Sequence, residues 1–272
     1  MRRASPFGLA FLLFLAPGAA GDVPDPFSQK AAAYLVTVNG KPLWARAPDR
    51  PLPPASLTKV MTALLVLERG RLDEIATVGP GAERETGSRI GLKAGDRMQV
   101  RDLLAAAVIQ SANDACRALA EHVGGTEARF AAMMNRRAAA MGLKRTRFVN
   151  ACGHDRAGHL STARDLAKIA DAALAHKLFA DLAGTVRKTV RTADGARAFD
   201  LENKNELVGR YPGAAGVKSG FTSKAGKCVI ALAERRNARV MLVLLGASER
   251  WWTAEAMLDR AFAEAKKADA RP

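Results

Sequence analysis

Ser56 and Lys59 stand three residues apart in Ser56-Leu57-Thr58-Lys59, at the head of a run with helical apolar spacing. Side chains at i and i+3 share one face of a helix, so the hydroxyl and the amine can reach each other. A serine hydroxyl is a weak nucleophile until a neighbouring base takes its proton. A lysine serves as that base only when burial or a nearby cation lowers its pKa from about 10.4. The helix N-terminus adds free N–H groups and a positive dipole end, which suit an oxyanion forming at the serine. A serine cap followed by a surface lysine gives the same four letters, so this motif alone is weak. Two further clusters follow it, Ser111-Ala112-Asn113 and Lys218-Ser219-Gly220. They add a second and a third hydroxyl, a carboxamide and a second amine, the functional groups of acyl transfer through a serine.

Other reactive residue types point nowhere as specific. Cys116, Cys152 and Cys228 are too few for a disulfide framework; at most one bridge can form, and buried thiols are the favoured reading. His122, His154, His159 and His176 lack metal-ligand spacing, although His154 and His159 flank Asp155 and Gly158 in one loop. No cofactor or metal is expected.

These residues need elements to hold them. Asn39-Gly40 lies between β-branched and apolar runs within residues 31–47, which predicts a hairpin. After a proline-rich connection, a helix carrying Ser56 in its first turn runs to Gly70. Residues 101–110 and 114–123 have helical spacing; Ser111-Ala112-Asn113 either continues one helix or turns between two, and serine and asparagine favour the turn. Helices are also predicted over 126–140 and 162–183. A second hairpin is predicted around Asp194-Gly195, and strands over 228–233 and 240–246, the first entered from the glycine-rich stretch that Lys218 opens. A final helix, 250–266, carries Trp251, Leu258, Phe262 and Ala265 as a core stripe. The reading is a mixed α/β (α+β) fold. Its antiparallel sheet joins the first and last strands and is flanked by helices, with an all-helical lobe at roughly residues 70–180.

The chain has 272 residues, 49% of them hydrophobic and 6% aromatic, which excludes disorder, collagen and a disulfide-rich miniprotein. Met1-Arg2-Arg3, an apolar run over 7–16 and Gly18-Ala19-Ala20 read as a cleaved export signal over residues 1–20. Residues 21–30 then form a polar leader, and 31–272 one catalytic domain. No later segment is apolar enough to span a membrane, so no transmembrane segment is expected after signal cleavage. Forty-two Lys and Arg against 27 Asp and Glu give a net charge of +15, which favours an anionic partner; export argues against nucleic acid.

The three motifs in this order are a signature shared by class A β-lactamases and penicillin-binding proteins. The chain resembles the low-molecular-weight penicillin-binding proteins, the serine D-alanyl-D-alanine carboxypeptidases, over roughly residues 30–250. The resemblance rests on Pro54-Ala55-Ser56-Leu57-Thr58-Lys59-Val60-Met61-Thr62, Ser111-Ala112-Asn113-Asp114-Ala115 and Ser161-Thr162-Ala163-Arg164-Asp165-Leu166. It extends through Tyr211-Pro212-Gly213 and Gly216-Val217-Lys218-Ser219-Gly220-Phe221-Thr222 to Ala225-Gly226.

It implies a β-lactamase/transpeptidase-like, penicillin-recognising fold with a cleft between sheet and helical lobe. Ser56 would be the acylated nucleophile, Lys59 its base and Ser111 the relay of the proton to the leaving amine. Asn113 would hold the substrate amide, Lys218 would supply positive potential and Ser219 would bind the terminal carboxylate. The N–H groups of Ser56 and Phe221 would form the oxyanion hole, with Gly220 between the binding residues. The implied activity is trimming of peptidoglycan stem peptides in the periplasm or cell envelope, with β-lactams as covalent inhibitors; a D,D-endopeptidase cutting cross-links is the alternative. Ser219 replaces a common threonine and Ala112 a common glycine, neither removing chemistry. Anchored members continue into a further β-rich domain that is not expected here, which leaves a soluble or peripherally held enzyme. A β-lactamase would need a carboxylate to activate the deacylating water, and residues 153–161 offer only Asp155, in a context that resembles the carboxypeptidases. A catalytically idle wall-binding protein would have no need for so complete a set of groups.

Overall fold

Asn39 and Gly40 take φ of 48° and 78°, the left-handed pair that a tight two-residue hairpin needs. They join β1 (Ala31–Val38) to β2 (Lys41–Arg46). The computed structural model describes residues 23–270 except Asn237; the expected export signal lies outside the described residues. A short 3-10 turn, Ala55–Thr58, leads into α1 (Lys59–Arg69), so Ser56 precedes the α-helix rather than opening it.

Next come β3 (Ile75–Thr77), α2 (Pro80–Glu83) and β4 (Arg97–Gln99). The helices α3 (Val100–Ile109), α4 (Asn113–Gly124) and α5 (Glu127–Ala140) follow. The paired strands β3 and β4 were not anticipated, because three residues are too few to show a period. Ser111 and Ala112 form the turn between α3 and α4. The helix expected over 162–183 is two, α6 (Ala163–Leu174) and α7 (Lys177–Gly184). His176 is extended between them, and the break lets α7 bury Phe179, Leu182 and Ala183 in a new direction.

The hairpin β5 (Arg187–Arg191) and β6 (Ala198–Glu202) closes on Asp194-Gly195. Then β7 (Ala214–Thr222), β8 (Gly226–Arg235), β9 (Ala238–Ala247) and α8 (Arg250–Asp269) complete the chain. The main sheet is antiparallel in the order β2-β1-β9-β8-β7, so first and last strands meet and β7 forms one edge.

Alternation along the central strands feeds two cores. Tyr34, Val36, Val229, Ala231, Leu242 and Leu244 pack with Ala254, Met257, Leu258 and Ala261 of α8. Their sequence neighbours Ala33, Leu35, Ile230, Leu232, Met241 and Val243 face the helices of the other side. Burial on both faces is why these strands read as continuous apolar runs. The leader is not a free tail: the Phe27 ring lies 5.5 Å from Trp44, whose indole N–H donates to the Val23 carbonyl at 3.2 Å.

Candidate active site

The 3-10 turn holds Ser56 in a strained setting. Ala55 has φ of +50°, uncommon for a residue with a side chain. A chain of bonds fixes it. The Val149 N–H donates to His159 Nδ1 (3.0 Å), Nε2 donates to Thr58 Oγ1 (2.9 Å), and that hydroxyl donates to the Ala55 carbonyl (2.8 Å). Burial pushes the His159 imidazole down to about 4, so it stays neutral. Two glycines press on the same turn. A Cβ on Gly153 would lie 2.0 Å from the Ala55 carbonyl oxygen, and one on Gly220 would lie 2.9 Å from the Ser56 nitrogen. Side chains at either place would push Ser56 away.

Lys59, the first residue of α1, is 1% exposed. Its Nζ lies 3.1 Å from Ser56 Oγ and donates to Asn113 Oδ1 and to the Cys152 carbonyl, each at 2.7 Å. Burial lowers its pKa to about 7, against a smaller opposing effect from Glu85 and Asp114. A neutral amine has two N–H groups and one lone pair. With two carbonyl-type oxygens taking the N–H groups, the lone pair is left for the Ser56 hydroxyl.

Asn113, at the start of α4, is the other fixed point. Its amide N–H2 donates to the Thr86 carbonyl at 2.5 Å, and its backbone N–H to the Ser88 carbonyl at 2.7 Å. Asp114 anchors the same segment, accepting from the N–H groups of Ile90, Gly91 and Leu92. The Asn113 side chain thus holds Lys59 through Oδ1 and Thr86 through one of its two amide N–H groups while lining the cleft. Ser111, at φ +59°, lines the cleft from the α3–α4 turn.

The opposite wall is the β7 edge. Lys218 is 2% exposed, and its pKa is driven well below normal by burial, then by the neighbouring charges of Lys59 and Arg250. Ser219 donates its hydroxyl to the Lys204 carbonyl at 2.8 Å. Phe221 is 62% exposed at the cleft mouth. The cleft between the walls has a volume of about 660 Å³. All eight residues singled out in the three motifs and their flank thus gather around one cleft, Lys59 and Lys218 beneath its surface.

Sequence reasoning missed Arg250. Its guanidinium lines the cleft, donating to the Gly220 carbonyl at 2.7 Å, while its buried Nε has no hydrogen-bond partner. It opens α8, where the helix dipole disfavours a cation, and that misplaced charge was the available signal. His154 and Glu85, paired at 2.7 Å on the lobe side, left no comparable pattern. The three cysteines need a correction: Cys116 and Cys152 are bridged, with Cα atoms 5.9 Å apart, and Cys228 alone is a buried thiol. The pairing joins a helix to a distant loop, which spacing in sequence could not reveal.

This is the fold and cleft of the D,D-peptidases. The crystal structure of a D-alanyl-D-alanine carboxypeptidase from Mycobacterium tuberculosis matches with a TM-score of 0.83 at 31% identity, covering 90% of this chain and 95% of that one. The chain belongs to the D-alanyl-D-alanine carboxypeptidase family, whose sequence profile matches residues 22–249. Among curated relatives, D-alanyl-D-alanine carboxypeptidase DacF of Bacillus subtilis is 37% identical over 244 residues, 86% of this chain; the chain spans 62% of that relative's length. A D-alanyl-D-alanine endopeptidase of Pseudomonas aeruginosa is 33% identical over 82% of this chain and 74% of its own.

Proposed function

We propose that this chain is a serine-type D-alanyl-D-alanine carboxypeptidase that trims peptidoglycan stem peptides through an acyl-enzyme on Ser56. The observation that carries the reading is the buried Lys59 amine, its two N–H groups held by Asn113 and Cys152 and its lone pair left for Ser56. Lys59 takes the hydroxyl proton as Ser56 Oγ attacks the carbonyl of the penultimate D-alanine. The oxyanion is received by the N–H groups of Ser56 and Phe221. The proton reaches the leaving amine through Ser111, the C–N bond breaks, and terminal D-alanine departs. Water then attacks the ester, and Ser56 recovers its proton.

The terminal carboxylate is met by the Arg250 guanidinium, which lines this wall of the cleft beside the Gly220 carbonyl, and by the Ser219 hydroxyl once it turns from Lys204. A carboxylate placed there favours the protonated form of Lys218, so substrate binding itself supplies the positive potential. Asn113 orients Lys59 through Oδ1 and offers its second amide N–H to the substrate amide. Asp155 is ill placed to activate water as in a β-lactamase, because its oxygens accept from the Thr222 hydroxyl (2.7 Å) and the Lys224 N–H (3.1 Å). β-Lactams acylate Ser56 by the same attack. The enzyme works after export, in the periplasm or envelope, where the net charge of +13 left after Arg2 and Arg3 depart with the signal favours anionic wall surfaces. Among the described residues no helix is long and apolar enough to cross a membrane.

The test is mass spectrometry of pentapeptide monomers and cross-linked dimers incubated together with the protein. Loss of one alanine from the pentapeptide while dimers persist is expected; conversion of dimers to monomers would replace this reading with the endopeptidase one. Ser56→Ala should lose both activity and penicillin labelling, and a labelled mutant would overturn the assignment.

A further inference from the structure

The two oxygens that hold the Lys59 amine come from different elements. Asn113 Oδ1 belongs to the first residue of α4, and the Cys152 carbonyl to the loop between α5 and α6. The disulfide crosses this same seam. Cys116 lies on α4 three residues beyond Asn113, on the same helix face, and its partner is Cys152 itself. Both cysteines are sealed from solvent, at 0% and 1% exposure.

Hydrogen bonds tie the loop elsewhere. Thr62 of α1 donates its hydroxyl to the Ala151 carbonyl at 2.6 Å, and the Ala151 N–H donates to Glu127 of α5 at 3.1 Å. Asn150 Oδ1 accepts from the N–H groups of Cys152, Gly153 and His154, which shapes the loop internally. The covalent tie to α4 adds a constraint of another kind, because it fixes the spacing between the two acceptors.

We propose that the Cys116–Cys152 disulfide is a positioning element for the catalytic base, clamping the Asn113 and Cys152 oxygens so that the Lys59 amine stays dry and directed at the Ser56 hydroxyl. The proposal rests on the reading of Ser56 and Lys59 as nucleophile and base. With the bridge gone, α4 and the loop can part, water enters the seam, and both N–H acceptors wander. The desolvation that lowers the lysine pKa then weakens, and the lone pair loses its aim.

The experiment compares wild type, Cys228→Ala and the double variant Cys116→Ala/Cys152→Ala, with Cys116→Val/Cys152→Ala as a second double variant that refills the space. Acylation by a fluorescent penicillin is timed from pH 5 to 10, and melting temperature is recorded on the same samples. The expected result is acylation at pH 7 slowed about tenfold or more in the double variants, with the acid limb of the pH profile displaced upward by about one unit. Cys228→Ala should track wild type. A double variant that melts earlier but keeps the wild-type rate and midpoint at pH 7 would overturn the proposal, leaving the bridge as a structural staple. Failure of both double variants to fold would also overturn it, since the bridge would then serve the fold itself. Failure of the underlying reading shows separately, as a wild-type profile without an acid limb or as labelling of Ser56→Ala.

Discussion

At the scale of single residues, the decisive quantity is the protonation of Lys59. Below a pKa of about 7 the ammonium has three N–H groups and no lone pair, so it cannot take the Ser56 proton; above it the amine is free to do so. Penicillin acylation should therefore rise about tenfold per pH unit below neutrality and level off above about pH 7, as read by stopped-flow labelling. A flat profile from pH 5 to 8 would remove Lys59 from the role of base. Arg250 gives a second residue-level expectation. On the proposed reading, Arg250→Ala removes a charged partner of the substrate carboxylate, worth about 1.5 to 3 kcal/mol. D-alanine release from a pentapeptide should lose about ten- to a hundredfold in kcat/KM, while a neutral amide analogue of the terminus should be affected far less. Of these residues, Lys59 was legible from its three-residue spacing to Ser56. Arg250 left only a cation at a helix N-terminus as a signal, because α8 reads as a core helix and its first residue reaches the cleft through the β7–β8–α8 arrangement.

At the scale of elements, Ser56, the proposed nucleophile, is held by a 3-10 turn squeezed between a loop and a strand edge. Gly153 is the tightest of these contacts, with φ of +93° and a virtual Cβ 2.0 Å from the Ala55 oxygen. Gly153→Ala should cost about 2 kcal/mol or more through backbone strain and displacement of the Ala55–Ser56 peptide. Chemical denaturation should show the stability loss, and penicillin labelling a slower acylation beyond what the unfolded fraction explains. Wild-type stability and labelling would mean that the loop yields without moving the turn. The hairpin at Asn39-Gly40 and the α3–α4 turn were legible because their determinants are local, a left-handed pair in one and serine and asparagine in the other. The break between α6 and α7 was not, since no proline or glycine marks it and packing of Phe179 decides it.

For the whole molecule, one sheet separates two cores, and α8 covers the face opposite the lobe. Leu258 is fully buried there beside Met257 and Ala261. Leu258→Ala should destabilise the protein by about 2 to 5 kcal/mol in denaturant titration. Under conditions where the variant remains folded, its acylation rate should stay near wild type, since Leu258 lies about two turns along α8 from Arg250 and packs in the core on the far side of the sheet. A stability loss below about 1 kcal/mol would show that α8 is not an integral cover of the sheet.

Legible in the chain of letters were the reactive groups, the helix that follows Ser56 and the turn that carries Ser111. These follow from side-chain type and from periods of two and 3.6 that a short window contains. What surrounds those groups, and which strands pair across about 200 residues, came from packing. Asn113 and the Cys152 carbonyl converge on Lys59 from 54 and 93 residues away, and one of those partners is a backbone oxygen with no letter of its own. The lowering of the lysine pKa, the Cys116–Cys152 bridge and the approach of Arg250 have the same origin. Each depends on which distant surfaces exclude water together, and desolvation belongs to a packed volume rather than to any stretch of chain.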